Sequence, residues 1–203
     1  MTHLLLIRHA ANDWLNNRLA GWMPGVHLNE RGRQQAEALA RRLAPLPLAA
    51  VYSSPLERAV ETAQFIAAPH GLEVQIREAL GETHFGELDG RPLDEVRREE
   101  VWKRSQIYPS GTRFPGGETM YEVQSRAVFA LEEILQAHHQ QIVAVVSHAD
   151  VIRVVVAHYI GLPLALFRRL VVSPASLTVL RFTETGPRLM LLNDTGELFF
   201  AGG

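Results

Sequence analysis

The sequence predicts an α/β fold, a three-layer sandwich with a mostly parallel central sheet flanked by helices. Short apolar runs of strand character alternate along the chain with longer segments of helical periodicity, as in a sheet with helical crossovers. Several of these apolar runs end directly in Arg, His or Ser, and the carboxyl ends of parallel strands meet at one edge of a sheet. The 203 residues are enough for one sizeable domain, so a single domain is predicted over 1–203.

The first third of the chain alternates between strands and helices. The run LLLIR at 4–8 predicts a strand, and LNERGRQQAEALARRLA predicts a helix that Pro45 and Pro47 end. LAAVYSS predicts a second strand, with Pro55 in the first turn of a helix that runs through LERAVETAQFIAA and closes at Gly71. The alternation in LEVQIRE then predicts a third strand.

The middle of the chain is rich in loops, and the last part is regular again. Gly, Pro and charged residues are frequent over about 81–118, which predicts a loop-rich lid region with one helix near 93–104. The last two predicted strands either extend the sheet or form an antiparallel pair. The regular elements predicted after this region are a helix over about 119–138, a strand at 142–147, a helix over about 149–160 and strands near 176–182 and 188–194.

Composition excludes several classes of function. The 20 basic and 22 acidic residues nearly cancel to a net charge of −2, so bulk charge predicts neither a nucleic acid nor an anionic membrane as partner. Cysteine is absent from the sequence, which excludes disulfides, thiolate catalysis and cysteine-rich zinc sites. The amino-terminal apolar run is too short for a signal peptide, and charge, Gly and Pro interrupt the longest apolar stretch at 151–167. A cytoplasmic protein without a membrane span is therefore expected.

Four segments carry candidate chemical groups. LIRHA places Arg8 and His9 at the end of the first strand, and SSPLERAVETA places Arg58 one turn into the helix that follows the second strand. GETHFGELDG places Glu82 in a glycine-rich loop. VSHADVIR places His148 at a helix start, where free backbone N–H groups favour an anion. A single histidine after a strand is more often structural than catalytic, so the inference depends on the combination.

Together these segments resemble the histidine phosphatase superfamily, which includes cofactor-dependent phosphoglycerate mutases and many phosphomonoesterases. The resemblance covers nearly the whole chain in the right order and implies a phosphoglycerate-mutase-like fold. LIRHA matches the family's Arg-His-Gly signature, except that Ala10 stands where glycine is usual. VSHADVIR has Ala149 and Asp150 where two glycines are frequent. PGGET followed by Arg126 is similar to a stretch in the phosphatase and bisphosphatase branches.

The resemblance implies a role for each candidate residue. His9 would be the nucleophile, Glu82 the proton donor, and the phosphate would lie among Arg8, Arg58 and His148. The residue types suit this chemistry, because guanidinium groups neutralise a phosphate dianion and a neutral imidazole has the lone pair that attacks phosphorus. The arginines should also keep His9 neutral, since nearby cations lower the pKa of an imidazole.

The proton donor has alternatives within the same region. A bound phosphate should raise the pKa of Glu82, because like charge disfavours ionisation. Glu87, Asp89 and Glu118 lie nearby in the sequence and could supply the proton instead, with Glu118 the first of them. Glu118 is also a candidate contact for substrate or phosphate.

The segment after the nucleophile departs from the family's mutases. They carry an asparagine that contacts the phosphate, and this chain has Leu15 at the aligned position. Asn16 or Asn17 could replace it as a contact for substrate or phosphate, and the sequence does not choose between them.

The sequence therefore predicts a metal-independent phosphomonoesterase that hydrolyses a small phosphorylated metabolite through a phosphohistidine on His9, with no cofactor. A metal is not expected, because the arginines and His148 can supply the electrostatic stabilisation and no third ligand accompanies the two histidines. The second alternative is a non-catalytic phosphate-binding protein on the same fold. A homodimer is possible, since the apolar carboxyl-terminal strands could pair with a second copy.

The first alternative is phosphoryl transfer of the phosphoglycerate mutase type, which would use 2,3-bisphosphoglycerate as cofactor. A mutase must bind a substrate carboxylate, and four basic residues in VRREEVWKRSQIYP could do so, although a solvated helix face is the favoured interpretation for most of them. Those residues are Arg97, Arg98, Lys103 and Arg104. The short stretch between Glu82 and His148 and the PGGET segment favour hydrolysis.

Overall fold

The computed structural model describes residues 1–196, so positions 197–203 of the predicted domain lie outside the described residues. Six strands and six α-helices alternate along the chain. The strands are β1 (Thr2–Arg8), β2 (Leu48–Ser53), β3 (Val74–Ile76), β4 (Ile142–Ser147), β5 (Leu177–Thr183) and β6 (Gly186–Asp194). The helices are α1 (Glu30–Leu43), α2 (Glu57–Ala67), α3 (Leu93–Val96), α4 (Glu100–Ile107), α5 (Met120–Ala137) and α6 (Ala149–Ile160).

The strands form one mixed sheet in the order β3-β2-β4-β1-β5-β6. β3, β2, β4 and β1 are parallel, whereas β5 runs antiparallel to β1 and β6 antiparallel to β5. The predicted α/β fold with a mostly parallel sheet is therefore confirmed, and the last two strands are an antiparallel pair. Arg8 at the end of β1 is paired with Ser147 at the end of β4, and Ser53 of β2 with Val146. The ends of all three strands thus lie at one edge.

The sheet is covered by helices on both faces, which explains why its central strands are apolar throughout. Leu4 and Leu6 of β1 pack with residues of α5 and α6, whereas Leu5 and Ile7 pack with residues of α1 and α2. All four leucine and isoleucine side chains are buried. Burial of one such side chain is worth about 1.5–3 kcal/mol, so this layering holds the end of β1 firmly in place.

Several element boundaries differ from the sequence predictions. The helix predicted at 93–104 is two helices, α3 and α4, because Glu99 has an extended backbone between them. α2 begins at Glu57 after an extended Leu56, so Pro55 precedes the helix instead of lying in its first turn. The third strand has only three residues, and β6 begins at Gly186, before the predicted 188.

Local contacts anchor the chain around the sheet edge. An ideal Cβ on Gly32 of α1 would lie 1.9 Å from the carbonyl oxygen of Ala11, so only glycine lets the helix approach the chain that follows β1. α5 begins with a capping box between Thr119 and Glu122. His148 is the N-cap residue of α6, as its predicted place at a helix start requires. Within the part of the chain described here, no helix is long and apolar enough to cross a membrane.

Candidate active site

The five residues that the motifs single out meet at the carboxyl edge of the sheet. Arg8 ends β1, and the backbone N–H of His9 donates a 2.9 Å hydrogen bond to the carbonyl of Ser147 at the end of β4. Arg58 comes from the first turn of α2 and Glu82 from the loop after β3. A cleft of about 280 Å³ is lined by Arg8, His9, Arg58 and Glu82. His148 is fully buried beside it, with its ring centroid 5.1 Å from that of His9.

The His9 imidazole is held in one orientation. Its Nδ1 lies 2.8 Å from the carbonyl oxygen of Ala10, and because a carbonyl only accepts, Nδ1 carries the proton of this bond. In the neutral ring the lone pair is then on Nε2. The backbone N–H of Ala10 donates to the hydroxyl of Thr62 at 3.1 Å, which fixes the same turn from α2. Ala10 does not adopt a positive φ, so glycine is not required there.

The electrostatic environment keeps His9 uncharged. Burial lowers the pKa of His9 well below its usual value, and the positive charges of Arg58 and Arg8 lower it further. A proton on Nε2 would therefore be lost at neutral pH. The ring is available as a nucleophile across the physiological range.

Both arginines have buried nitrogen atoms without hydrogen-bond partners among the described residues. Arg58 is 1% exposed, and its Nη2 donates to the carbonyl of Gly21 at 2.7 Å, while its Nε and Nη1 have no partner. Nη1 of Arg8 donates to the carbonyl of Val172 at 2.8 Å, and its Nε has no partner. Burial lowers the pKa of both guanidinium groups, that of Arg8 to about 10. An unpaired buried donor costs about 1–3 kcal/mol, so these atoms are ready to bind an anion.

His148 is oriented by two neighbours. Its Nε2 lies 2.7 Å from the hydroxyl oxygen of Ser54, at the end of β2, and its Nδ1 lies 3.5 Å from Nη2 of Arg58. Burial lowers the pKa of His148 well below its usual value, and Arg58 and His9 lower it further. The sequence analysis assigned no role to Ser54, although its position at a strand end next to the predicted site could have indicated one.

Glu82 is a carboxyl group that holds its proton near neutral pH. Its Oε1 accepts a 2.9 Å hydrogen bond from the backbone N–H of Thr83, and its Oε2 lies 3.9 Å from Nδ1 of His148. Burial, with a further contribution from the negative charge of Asp150, raises the pKa of Glu82 to about 7. Such a group can give up a proton and take one back at neutral pH.

The alternative proton donors are not in the cleft. Glu118 accepts hydrogen bonds from Nε of Arg126 at 2.7 Å and from the backbone N–H of His84 at 2.9 Å, and it does not line the cleft. A contact of Glu118 with substrate or phosphate stays a prediction. Asp89 and Glu87 do not line the cleft either, although burial raises the pKa of Asp89 to about 6.

The two asparagines after the nucleophile differ in position. Asn16 lines the cleft beside Leu15 and has a left-handed backbone with φ of 66°. Asn17 is exposed, its side-chain amide donates to the carbonyl of Asp13 at 3.0 Å, and it does not line the cleft. Of the two predicted substrate contacts, only Asn16 borders the cleft, and a contact of either residue with substrate stays a prediction.

Three charged residues that line the cleft were missed by the sequence analysis as parts of the site. Asp150 and Arg153 come from α6, and Arg168 comes from the 3₁₀ segment Leu164–Arg169 that follows it. Nη1 of Arg153 donates to Oδ1 of Asp150 at 2.9 Å. The i, i+3 spacing of Asp150 and Arg153 in the last histidine motif could have identified this pair.

No group of three or more His, Cys, Asp or Glu side chains suited to a metal ion occurs within residues 1–196. That the reaction needs neither metal nor cofactor stays a prediction. The cleft is instead rich in arginine, which is the usual protein partner of phosphate oxygens.

Comparison with known protein families agrees with this geometry. Residues 4–195 match the histidine phosphatase superfamily (branch 1), which is nearly the whole described chain. The chain belongs to this superfamily. The resemblance drawn from the four motifs is therefore confirmed.

Relatives in the superfamily carry two kinds of name. Phosphoserine phosphatase 1 of Hydrogenobacter thermophilus is 33% identical over 200 residues, covering 98% of this chain and 95% of the relative. Phosphoglycerate mutase-like protein 4 of Arabidopsis thaliana is 37% identical over 155 residues, covering 74% of this chain and 67% of the relative.

Solved structures match over almost the full length. The YhfR protein of Bacillus stearothermophilus superposes with a TM-score of 0.90 at 29% identity, over 96% of this chain and 98% of that one. A phosphoserine phosphatase variant from Entamoeba histolytica, solved in complex with phosphoserine, superposes with a TM-score of 0.86 at 25% identity, over 96% of this chain and 98% of that one. These neighbours share the six-stranded α/β architecture and include phosphatases, which supports phosphatase activity in this chain.

Proposed function

We propose that the protein is a metal-independent phosphomonoesterase that hydrolyses a small phosphorylated substrate through a phosphohistidine on His9. One observation carries the proposal. Nδ1 of His9 is committed to the carbonyl of Ala10, so that the Nε2 lone pair is left for the cleft, where Arg8 and Arg58 hold buried donors without partners. A nucleophile and an empty anion site of this kind suit phosphoryl transfer.

Binding comes first. The unpaired nitrogens of Arg8 and Arg58 donate hydrogen bonds to the oxygens of the phosphate group, each charge-assisted bond contributing about 1.5–3 kcal/mol. His148, which caps the start of α6, lies beside the same group. The positive charge removes the repulsion that otherwise keeps a nucleophile from a phosphate dianion.

Phosphoryl transfer follows in two balanced steps. Nε2 of His9 forms a bond to phosphorus while the bond from phosphorus to the ester oxygen breaks, and Glu82 gives its proton to that oxygen so that an alcohol leaves. Water then attacks the phosphohistidine, Glu82 takes a proton from the water, and the N–P bond breaks. The products are the alcohol and inorganic phosphate, and both His9 and Glu82 return to their starting forms.

Hydrolysis is favoured over mutase activity by two observations. One relative, matched over 98% of this chain and 95% of its own length, is a phosphoserine phosphatase. The four basic residues that could grip a mutase substrate, Arg97, Arg98, Lys103 and Arg104, do not line the cleft. Names of the mutase kind among the relatives make the mutase the alternative to test. Rapid isomerisation of 3-phosphoglycerate with catalytic 2,3-bisphosphoglycerate, and little release of free phosphate, would identify a mutase.

The first prediction concerns His9→Ala. Hydrolysis of p-nitrophenyl phosphate in the presence of chelator should fall by about a thousandfold or more, because the covalent route is lost. When wild-type protein is mixed with substrate labelled in its phosphate group and quenched in alkali, the protein should retain the label. Acid should release this label, and His9→Ala should not acquire it. His139→Ala, which changes an exposed histidine outside the cleft, is the matched control and should keep full activity.

Three results would overturn the proposal. They are absence of hydrolysis by the wild-type chain over about pH 5–8, full activity in His9→Ala, and loss of activity with chelator that added metal restores. Tight vanadate binding without any labelled histidine would instead identify a non-catalytic phosphate-binding protein.

A further inference from the structure

A second arginine cluster lines the same cleft beside the predicted phosphate contacts. Arg153 and Arg168 belong to it, and they share a single carboxylate, that of Asp150. Oδ1 of Asp150 accepts the hydrogen bond of Arg153, whereas its Oδ2 lies 4.0 Å from Nη2 of Arg168, beyond hydrogen-bond distance. Asp150 therefore satisfies the first guanidinium and leaves the second without a bond.

Two hydrogen-bond donors of Arg168 have no acceptor within the described chain. Its Nε and Nη2 are buried and have no hydrogen-bond partner among residues 1–196. The guanidinium lies over the ring of Phe167, 5.1 Å from the ring centroid, and Phe167 is completely buried. The plane of the guanidinium is thus supported from one side, and a fixed fork of unsatisfied donors suits a bidentate oxyanion.

The backbone connects this cluster to the phosphate site. Nε of Arg153 donates to the carbonyl of Leu170 at 2.9 Å, and Nη1 of Arg8 donates to the carbonyl of Val172 at 2.8 Å. The stretch that carries Arg168 therefore continues directly into the stretch that holds Arg8. A ligand bound by Arg8 through its phosphate would have its remaining atoms within the same cleft as Arg168.

The charge of the cleft exceeds what one phosphate can neutralise. Five guanidinium groups line the cleft against two carboxyl groups, those of Glu82 and Asp150, and Glu82 is partly protonated near pH 7. A phosphate dianion offsets two positive charges, so positive charge remains. The arginines are Arg8, Arg18, Arg58, Arg153 and Arg168.

We propose that Arg168, supported by the ring of Phe167, binds a second oxyanion of the substrate, a carboxylate or a second phosphate. The preferred substrates are then phosphomonoesters that carry another acidic group. Phosphate esters of simple neutral alcohols are hydrolysed less efficiently. This inference rests on the proposed phosphatase activity, because it concerns the same cleft.

Three substrates that differ in one group test the proposal. Glycerol 3-phosphate has no second anion, 3-phosphoglycerate replaces a hydroxymethyl group by a carboxylate, and glycerol 1,3-bisphosphate adds a phosphate. kcat/KM for each is measured in the wild type, in Arg168→Gln and in Arg168→Lys. Arg169→Gln is the matched control, since it removes the same charge from the neighbouring, exposed residue that does not line the cleft.

The wild type should prefer one of the doubly anionic substrates over glycerol 3-phosphate by about ten- to a hundredfold, and the preferred one identifies the oxyanion. Arg168→Gln should lose this preference mainly through KM, and its kcat/KM for p-nitrophenyl phosphate should fall much less than that for the preferred substrate. Arg168→Lys should restore part of the preference, and Arg169→Gln should keep all of it. Circular dichroism and thermal midpoints of all variants show whether they are folded.

Several results would contradict the proposal. Equal use of the three substrates by the wild type, or a preference that survives in Arg168→Gln, overturns the second oxyanion site. If p-nitrophenyl phosphate is not hydrolysed at all, the proposed function fails by itself. Calorimetric affinities of His9→Ala for 3-phosphoglycerate, glycerol 1,3-bisphosphate and glycerol 3-phosphate then still decide the inference. Equal affinities for all three would overturn it.

Discussion

Glu82 illustrates at the scale of one residue how burial changes a carboxyl group. Its side chain is only 14% exposed, and burial raises its pKa to about 7, whereas Arg58 and Arg8 act in the opposite direction. The raised pKa shows that desolvation outweighs the attraction of the arginines. A proton that the residue would lose to water in an unfolded chain is kept until neutral pH.

Glu82→Gln should separate substrates by their leaving groups. An alkoxide leaves only when protonated, whereas p-nitrophenolate leaves unaided. kcat/KM for glycerol 3-phosphate, which reports formation of the phosphohistidine, should therefore fall by about 10²–10⁴-fold, and kcat/KM for p-nitrophenyl phosphate should fall much less. Equal losses on both substrates would mean that the residue is not the proton donor.

The pH dependence of the wild type follows from the same residue. Since Glu82 must be protonated to act as acid, its active form declines as pH rises through about 7. kcat/KM for glycerol 3-phosphate should therefore have a descending limb near neutral pH. The pKa of His9 lies well below its usual value, so the nucleophile stays uncharged at lower pH. In Glu82→Gln the descending limb should disappear, and persistence of that limb would assign it to another group.

At the scale of secondary-structure elements, α5 holds the loop that carries Glu82. Nη1 of Arg126 donates to the carbonyls of Ala79 and Gly81 at 2.8 and 2.9 Å, and its Nη2 donates to the carbonyl of Glu82 at 2.8 Å. Glu118 accepts from the same guanidinium and neutralises it. One side chain of the helix thus binds three backbone carbonyls within the segment 79–82, and it does not line the cleft.

Arg126→Gln should weaken catalysis through the position of Glu82. The shorter amide cannot reach all three carbonyls, so the carboxyl group loses its fixed place. kcat/KM for glycerol 3-phosphate should fall about tenfold or more, with little change in kcat/KM for p-nitrophenyl phosphate. Arg113→Gln removes an exposed arginine that pairs with Glu122 and provides the control. A uniform loss on both substrates in the folded variant would contradict a positioning role.

At the scale of the whole molecule, the buried groups that prepare the active-site edge to bind an anion lower the stability of the native state. Arg58 is almost completely buried with two unpaired nitrogens, and burial lowers its pKa. An uncompensated buried charge destabilises the native state. The empty enzyme is therefore expected to be less stable than its complex with an anion.

Vanadate or phosphate should raise the thermal midpoint of the wild type. At a ligand concentration of 100 Kd the native state gains about 2.7 kcal/mol, which corresponds to roughly 5–10 °C for a chain of this size. Arg58→Met should lose this ligand-dependent shift while the empty protein unfolds at the same or a higher temperature. Differential scanning calorimetry measures both. A variant that unfolds far below the wild type without ligand would show that Arg58 is needed for the fold itself.

The sequence was sufficient wherever local pattern and strand ends decide the outcome. The apolar runs and helical periodicities placed β1, α1, α5, β4 and α6 within a few residues of their observed limits. Arg8, His9, Arg58 and His148 follow strand ends or lie in the first turns of helices, so their convergence follows from the parallel sheet. Element boundaries in the loop-rich region were less accurate, since α3 and α4 are separated only by the extended backbone of Glu99.

Side-chain partnerships within the loops were decided only in three dimensions. Glu118 and Glu82 are both acidic residues near the same motifs, and sequence order could not show that Arg126 binds one carboxylate and the backbone of the other. Likewise, Asn16 and Asn17 are adjacent and both exposed, and the sequence alone could not show that Asn16 borders the cleft and Asn17 does not.

By itself, therefore, the sequence determined the α/β architecture and the family, because hydrophobic periodicity and motif order can be recognised in the sequence alone. The tertiary structure decided which titratable groups lose water and which donors lack partners. Desolvation and unpaired hydrogen bonds depend on what lies around an atom in space. For that reason the raised pKa of Glu82 and the unsatisfied guanidinium of Arg168 are properties of the folded chain alone.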